Sequence, residues 1–420
     1  MPILPAVNAP PAAASDLFAY RVEPGETLTT LQLRGLWPPT AFLEVRRIND
    51  LSDPVVLHEG MTLQIPRRLL RVAPIRARLD SFRGAVRIGR GAPAVVGATV
   101  GQGDVITTGE DGYAALSLPD GSHIAAPSNT ELRFDRLNRV VLTGDLDRVI
   151  SLRRGRVESS VIPMTRPGSR YVVITPLAVS SVRGTEFRAS YEPAAAAGTA
   201  GVLKGKVAVA GGGPEVLPVA GQGVTATPAG VSPPKALLPA PGLDPKSSLQ
   251  SEPQIHLKLT PVAGAVRYRL LIARAAAPAA VLYEAVAPGV DFVVPELADD
   301  AYVARVSGIA ADGLEGLPND AAFARLRLSL ALRPVVATTA GGRRSVAFAW
   351  DAPPGAVFRF TLTRAGQTAP VVDLPDLKAS QYVATGLAPG DYSWRVFASK
   401  SAGEARLQVF SDPVPLRIAP

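Results

Sequence analysis

Proline and glycine recur so densely along this chain that they limit what it can fold into. Of its 420 residues, 40 are proline and 38 are glycine. Both residues interrupt regular structure, so long helices are disfavoured and many short strands joined by turns are favoured. At about 100–200 residues per domain, a chain of this length is expected to form three or four units. The predicted fold class is therefore mainly β and multidomain.

Composition also excludes several kinds of chemistry. The chain has no cysteine, which rules out disulfide frameworks, thiolate zinc sites and cysteine nucleophiles. Its net charge of +8 is modest for this length. The arginines cluster locally, at Arg67, Arg68, Arg71, Arg76 and Arg78 and again at Arg153, Arg154 and Arg156. Nucleic acid, anionic wall polymers, lipid head groups and a plain solvated surface are the alternatives. Because no stacking aromatics interleave with these arginines, we predict no nucleic-acid partner.

The chain contains no segment that predicts a membrane span or a signal peptide. No apolar run reaches the roughly 18 residues that span a bilayer, so we predict no transmembrane segment. Residues 1–5 have neither a basic n-region nor an apolar h-region. If the protein is exported, we expect its signal to have been removed from this numbering.

Changes in composition divide the chain into segments. Residues 1–16 are rich in proline and alanine and are predicted to form a disordered leader. Residues 17–67 are predicted to form a compact unit, and residues 79–225 an all-β unit of rolled or stacked short strands. Residues 226–250 have the composition of a linker. Residues 251–330 and 331–420 are predicted to be two related β-sandwiches.

The first unit has the pattern of a strand, two helices and a second strand. Tyr20–Val22 forms the first strand, and the turn at Pro24–Gly25 leads to a helix through Leu28, Leu31 and Leu33. Thr40 is expected to cap a second helix with apolar residues at helical spacing. Gly60–Pro66 is the second strand, closed by proline.

This βααβ order resembles a LysM domain. The motifs that carry the resemblance are the Tyr-x-Val strand, the Gly-Glu-Thr-Leu turn, Asn49 after the second helix, and Gly-x-x-Leu-x-Ile-Pro. Glu26 stands where the family usually has aspartate, which keeps the charge near the helix start. The resemblance implies binding of glycan that contains N-acetylglucosamine, here peptidoglycan. The groove residues that it implies are Gly25, Glu26, Thr27, Leu28, Asp53, Pro54, Val55, Val56 and Leu57. The alternative is that the unit is a spacer with no glycan affinity.

The middle unit carries a more specific set of motifs. They follow one another in the order Gly103–Gly109, Leu118–Ser122, Leu152–Val157, Ile174–Phe187 and Val202–Val209. This series resembles a FecR domain, an extracytoplasmic β domain that relays a signal from an outer-membrane receptor to an inner-membrane anti-sigma region. The resemblance implies an envelope location, periplasmic or envelope-associated, and an envelope protein as partner.

Within the FecR-like unit, residues 183–186 are the segment that most resembles a site. Arg183, Gly184, Thr185 and Glu186 follow directly on a strand. We interpret them as a tight turn, in which Gly184 supplies the conformation and the charged residues pair with neighbours.

The last two units repeat one pattern. An alternating strand, Gly264–Leu270 or Gly355–Leu362, is followed by a polar turn and a second alternating strand that holds Tyr302 or Tyr392. This resembles fibronectin type III or related immunoglobulin-like sandwiches with about seven strands each. We expect Tyr392 and its neighbour Trp394 to serve packing rather than ligand binding.

No catalytic constellation emerges from the sequence. His58, His123 and His256 fall in three different units without metal-ligand spacing, and Asp299–Asp300 matches no calcium loop. We therefore predict no catalytic residues, no metal site and no cofactor, and no enzyme activity. The leading hypothesis is a peptidoglycan-associated scaffold. The alternatives are a FecR-type signalling component that regulates a sigma factor, and a cell-wall hydrolase or its accessory.

Overall fold

The architecture is mainly β and is built of several separate sheets, as the sequence predicts. In this computed structural model, strands hold 53% of the residues and helices 6%. The structure describes residues 16–52, 56–89, 91–340, 343–351 and 353–419. Residues 1–15 of the predicted leader lie outside the described residues. Asp16 is described, and its carbonyl accepts a 2.8 Å hydrogen bond from the backbone of Arg67.

The first unit has the predicted order of strand, helix, helix and strand. Its elements are β1 (Leu17–Arg21), α1 (Leu28–Gly35), α2 (Ala41–Ile48) and β2 (Thr62–Pro66). The two strands pair antiparallel, with Phe18 opposite Ile65 and Tyr20 opposite Leu63. Alternate side chains of β1 are buried, because successive residues of a strand face opposite sides. They pack against Leu31 of α1 in the core of the unit.

The two helices begin in different ways. Thr27 caps α1 in a capping box: its hydroxyl accepts from the Thr30 backbone at 3.1 Å, and the Thr30 hydroxyl accepts from the Thr27 backbone at 2.8 Å. Thr40 is the N-cap residue of α2, as expected, but its side chain makes no capping hydrogen bond. The carboxamide oxygen of Gln32 accepts from the backbone of Phe42 at 2.9 Å instead. A side chain of α1 therefore accepts a hydrogen bond from a backbone N–H group at the start of α2.

The second unit is all β. Its strands are β3 (Val72–Pro74), β4 (Ala77–Arg83), β5 (Val86–Ile88), β6 (Ala92–Pro93), β7 (Thr99–Val100), β8 (Val105–Thr108), β9 (Tyr113–Ser117), β10 (His123–Ala126), β11 (Glu131–Val140), β12 (Leu146–Ser160), β13 (Arg170–Ile174), β14 (Val179–Val182), β15 (Glu186–Glu192), β16 (Ala197–Lys204), β17 (Val207–Ala210), β18 (Gln222–Thr227), β19 (Gly230–Val231) and β20 (Lys235–Ala236). They join into one closed, barrel-like assembly.

The long strand β12 holds this assembly together. Its first part pairs with β11 and, in parallel, with β13. Its last part, from Gly155 to Ser160, pairs with β15. A single core fills the interior, in which Leu132 and Phe134 of β11 pack with Val157 of β12 and Phe187 of β15. This is the rolled or stacked arrangement expected from short strands with non-local partners.

The chain then forms two sandwiches. The first contains β21 (Leu249–Gln250), β22 (Ile255–Lys258), β23 (Ala265–Arg274), β24 (Val281–Ala287), β25 (Asp291–Val294), β26 (Asp300–Ala310) and β27 (Asn319–Arg325). The second contains β28 (Val336–Ala340), β29 (Arg343–Ala349), β30 (Val357–Arg364), β31 (Val372–Leu377), β32 (Gln381–Thr385), β33 (Gly390–Ala402), β34 (Ala405–Phe410) and β35 (Val414–Ile418). In each, a larger sheet centred on β23 and β26, or on β30 and β33, accompanies a smaller one. Each sandwich has a hydrophobic core of its own.

The matching tyrosines occupy the same position in the two sandwiches. The Tyr302 hydroxyl donates to the carbonyl of Ala298 at 2.8 Å, and the Tyr392 hydroxyl donates to that of Ala388 at 2.9 Å. Both rings are buried. This bond to a carbonyl four residues upstream is the tyrosine corner known from such sandwiches. The burial of Tyr392 and this bond agree with the expectation that it serves packing.

Residues 226–250, predicted to be a linker, contain ordered structure. Strands β19 and β20 extend the second unit by pairing with β18. A 3-10 turn at Pro245–Ser247 and the pairing of β21 with β27 belong to the first sandwich. The connection therefore follows the surfaces of both units rather than crossing a gap between them.

Small residues allow the first two units to pack closely. Val140 and Leu142 of the second unit belong to the core of the first. A Cβ added to Gly35 would lie 2.7 Å from the Cβ of Leu142, and one added to Gly168 would overlap the ring of Phe18. Such contacts require glycine, because a real Cβ cannot approach other atoms that closely.

Candidate functional site

The predicted glycan groove begins at the turn before α1, in which Gly25 is exposed and Glu26 is buried. Gly25 has a φ of +75° and open space around the position of a Cβ, which suits glycine in a tight exposed turn. The Glu26 carboxylate is buried, accepts from the Tyr20 hydroxyl at 2.6 Å, and pairs with Arg34. Burial and this bond to a carboxylate raise the pKa of Tyr20 above its usual value. Glu26 therefore buttresses the turn from inside.

The next two predicted residues also face inward or serve the backbone. The Thr27 hydroxyl is engaged in the capping box, and Leu28 is buried in the core. The part of this turn that is open to a ligand is the backbone at Gly25, together with the outer edge of Thr27. Glycan contact by this turn stays a prediction.

The other half of the predicted groove precedes β2. Asp53, Pro54 and Val55 lie outside the described residues. Val56 is 60% exposed, whereas Leu57 is half-buried against the same core as Leu28. The structure therefore places Leu28 and Leu57, one from each part of the predicted groove, against one small core and leaves Val56 open to solvent.

Asn49 stabilises the fold of the first unit, a role that the motif alone does not indicate. Its amide donates to the carbonyls of Val45 at 2.7 Å and Gln64 at 2.9 Å, and its oxygen accepts from the Gln64 backbone at 2.7 Å. It thereby ties the end of α2 to β2. The presence of an asparagine at a helix end, facing a strand, was the available signal.

The segment from Arg183 to Glu186 is a structural turn, as interpreted from the sequence. Gly184 has a φ of +101°, and a Cβ there would overlap Pro163. Arg183 donates to the carbonyls of Pro167 and Arg166 at 3.2 Å each. Glu186 pairs with Lys204 at 3.0 Å. All these partners lie within the second unit, so the turn stabilises the fold.

A buried cluster of charges joins the second unit to the first sandwich. The second unit contributes Arg156, Glu158 and Arg188, and the sandwich contributes Arg269, Glu284 and Glu315. Arg269 lies at the centre, with its guanidinium 2.5 Å from Glu158 and 2.8 Å from Glu284. Equal numbers of opposite charges meet here, so the cluster is neutral.

Glu315 is the carboxylate that depends most on this cluster. It lies 3.0 Å from Arg188 and 3.0 Å from Arg156, and it accepts from the Ser307 hydroxyl at 2.6 Å. Burial opposes its ionisation, but the arginines outweigh burial and hold the pKa of Glu315 well below its usual range. Sequence reasoning missed this cluster, because its members come from five separate segments of the chain.

The described residues contain neither a candidate metal site nor a helix that could span a membrane. Within them, no group of three or more histidine, cysteine, aspartate or glutamate side chains could hold a metal ion. No helix in the described part of the chain is long and apolar enough to cross a membrane.

Comparison with known families identifies the second unit. Residues 104–208 match the family model described as FecR protein. The chain contains a FecR domain. Proteins of this family are associated with the cell envelope. We use the name FecR domain below for the β3–β20 unit that contains the match. Among curated proteins, none matches the chain.

Solved structures resemble parts of the chain at low identity. A putative anti-sigma factor from Parabacteroides distasonis is 19% identical, with a TM-score of 0.27, and the match covers 31% of this chain and 59% of that one. The match thus spans less than two thirds of the anti-sigma factor. A segment of two fibronectin type III domains from chicken tenascin is 16% identical, with a TM-score of 0.30, covering 43% of this chain and 99% of that one. The FN1–FN3 domains of chicken CNTN1 are 13% identical, with a TM-score of 0.22, covering 58% of this chain and 95% of that one.

Proposed function

We propose that this protein acts in envelope signalling by binding another envelope protein through its FecR domain, without catalysis of its own. The match of residues 104–208 to the FecR family carries the proposal. The packing of the domain adds to it. The FecR domain is fixed by shared core residues on one side and by the buried charge cluster on the other. A partner would therefore meet it in one orientation, which lowers the entropic cost of binding.

Photo-crosslinking of the full chain in envelope fractions tests this proposal. A photoreactive residue placed at Val96, which is 57% exposed on the FecR domain, reports contacts of that domain. The matched control places the same residue at Val371, which is 45% exposed on the second sandwich. We expect a discrete protein adduct from position 96 or from other exposed FecR positions, and none from position 371. Adducts confined to the sandwich would contradict the proposal.

The absence of catalysis is tested separately. The full chain should leave no cleared zone in a peptidoglycan zymogram. A cleared zone would replace the signalling proposal with that of a wall hydrolase.

A second proposal concerns the N-terminal unit, which we propose to be an anchor to peptidoglycan. Its support is the βααβ order, with an exposed glycine turn and an exposed Val56 beside one core. The amide edge of such a turn suits an acetamido group, and an apolar side chain suits its methyl group.

Sedimentation of the full chain with purified sacculi tests the anchor. We expect the chain to co-sediment, and we expect Val56→Asp to reduce the bound fraction severalfold. Val96→Asp, at a valine of nearly equal exposure on the FecR domain, serves as the control and should bind as the parent does. Equal binding of all three chains would remove Val56 from the site, and no binding at all would refute the anchor.

A further inference from the structure

A cleft between the N-terminal unit and the FecR domain has the features of a binding site, although no sequence motif indicates it. Its volume is about 390 Å³, within the range of small-ligand sites. One wall is the outer face of β1, with Leu17 and Ala19. The opposite wall is formed by β13, β14 and β17 of the FecR domain, and Arg67 and the loop at Gly168 lie between the two.

Four basic side chains line this cleft, and no described acidic side chain does. They are Arg67, Arg170, Arg183 and Lys206. Asp147 neutralises Arg170, whose Nε lies 2.6 Å from a carboxylate oxygen. Among the described residues, Arg183 donates only to backbone carbonyls and has no carboxylate partner. The ammonium of Lys206 has no ion pair with any side chain that the structure describes.

Of the four, Arg67 is the one whose guanidinium has buried nitrogens without a hydrogen-bond partner. Its Nη2 donates to the Gly168 carbonyl at 2.9 Å, and its guanidinium lies 5.2 Å from the centre of the Phe18 ring. Its Nε and Nη1 are buried without a hydrogen-bond partner. Burial and the neighbouring Arg170 lower the pKa of Arg67, and Asp147 and Asp145 offset this only in part. A buried charge is costly without a counter-charge, so this site is set up to gain from a bound anion.

The rest of the lining is apolar. Val172 and Val182 form the floor and are buried, whereas Leu217 at the rim is 57% exposed. A simple inorganic ion would leave this apolar surface in contact with water. The ligand that matches both parts has a carboxylate next to small apolar side chains.

The surroundings of the cleft favour a peptide over other organic anions. Within the described residues, β1, which lines the cleft, pairs only with β2, so one of its edges has no strand partner. Extended peptides can bind an unpaired strand edge. Ser181 also lines the cleft, and its hydroxyl has no hydrogen-bond partner among the described residues. Residues 1–15 of this chain contain neither aspartate nor glutamate and so offer the cleft no side-chain carboxylate. We propose that this cleft binds the carboxylate end of a peptide with small apolar side chains.

Isothermal titration calorimetry on the full chain tests the proposal. The probe is acetyl-Val-Ala-Leu with a free carboxylate, and the comparison is the same peptide with a C-terminal amide. We expect the free acid to bind and the amide to bind at least about tenfold more weakly, since a charge-assisted hydrogen bond is lost. Equal affinity of the two peptides, or no binding of either, would overturn the proposal.

Variants with neighbouring controls locate the site. Lys206→Ala should weaken binding about tenfold, while Lys204→Ala, which removes an exposed partner of Glu186 two residues away, should not change it. Arg67→Gln should abolish measurable binding, while Arg68→Gln, which removes a partner of Glu44, should not. If Arg67→Gln lowers the melting temperature, the Lys206 pair still decides the outcome. Indifference to Lys206→Ala would overturn the proposal.

Two competitors separate the peptide from other anions. Inorganic phosphate tests charge alone, and decanoate tests an apolar chain that bears a carboxylate but no amide. We expect neither to displace the peptide at the peptide's own concentration. Displacement by phosphate would mean an adventitious ion only, and displacement by decanoate would assign the cleft to fatty acids, so either result would overturn the peptide assignment.

Discussion

At the scale of single residues, Glu315 shows how the FecR domain and the first sandwich depend on each other. Glu315→Gln would remove the carboxylate that pairs with Arg156 and would leave Arg188 only its 3.5 Å pair with Glu158. Breaking one partner of a buried ion pair costs about 3–5 kcal/mol, so we expect a loss of that order in the free energy of unfolding. Urea denaturation followed by circular dichroism measures it. The control, Glu215→Gln at an exposed position, should stay within about 0.5 kcal/mol of the parent.

The same carboxylate makes stability depend on pH. The pKa of Glu315 is lower in the folded protein than the value of about 4.3 expected when unfolded. Its contribution is therefore complete above about pH 4.3 and is lost as the pH falls further toward the folded pKa. Asp299, Asp312 and Asp320 also have lowered pKa values and act in the same direction. Between pH 5 and 2, we expect the melting temperature to fall more steeply in the parent than in Glu315→Gln. Parallel slopes would show that Glu315 makes no such contribution.

At the scale of elements, the two tyrosine corners should stabilise their sandwiches to similar degrees. Tyr302→Phe and Tyr392→Phe each remove one hydroxyl from a hydrogen bond to a carbonyl, a loss of about 1 kcal/mol in the free energy of unfolding. Tyr283→Phe is the control, because its hydroxyl lies 3.5 Å from the Val293 carbonyl at an exposed position. Chemical denaturation of the three variants measures the differences. A control as destabilised as the two corner variants would contradict this role for the corner bonds.

Elements with a strong local pattern could be predicted from the sequence, and sites built from distant segments could not. The order of β1, α1, α2 and β2 follows from local spacing and turn residues. Thr40 occupies the N-cap position that its residue type favours, but Gln32 supplies the hydrogen bond at this helix start through tertiary packing. The Arg269–Glu158 pair joins residues 111 positions apart, and nothing in either local sequence indicates it.

The candidate site shows the same limit. The motif identifies residues 25–28, but it does not indicate which of their side chains are buried in the core. Burial of Glu26 follows from the approach of the Tyr20 hydroxyl, which is a property of the folded sheet. The cleft with Arg67 and Lys206 has no motif, because its two walls come from separate units.

At the scale of the whole molecule, the units are held together by specific contacts rather than by flexible linkers. The core of the N-terminal unit includes Val140 and Leu142 of the FecR domain, and the charge cluster joins that domain to the first sandwich. Lys400 of the second sandwich pairs with Asp299 of the first at 2.5 Å. We therefore predict that a change at one of these interfaces affects the stability of the units that it joins.

Gly168 offers a direct test of this coupling. A Cβ at this position would overlap the Phe18 ring, and its backbone conformation does not itself require glycine, so Gly168→Val acts by steric overlap alone. We expect it to loosen the N-terminal unit, so that the amides of β1 and β2 exchange hydrogen faster while those of β30 and β33 do not change. Gly213→Val is the matched control, since a Cβ there meets nothing within 4 Å. Hydrogen exchange read by mass spectrometry distinguishes the outcomes. Unchanged protection of β1 in Gly168→Val would mean that the N-terminal unit is stable without its contact to the FecR domain.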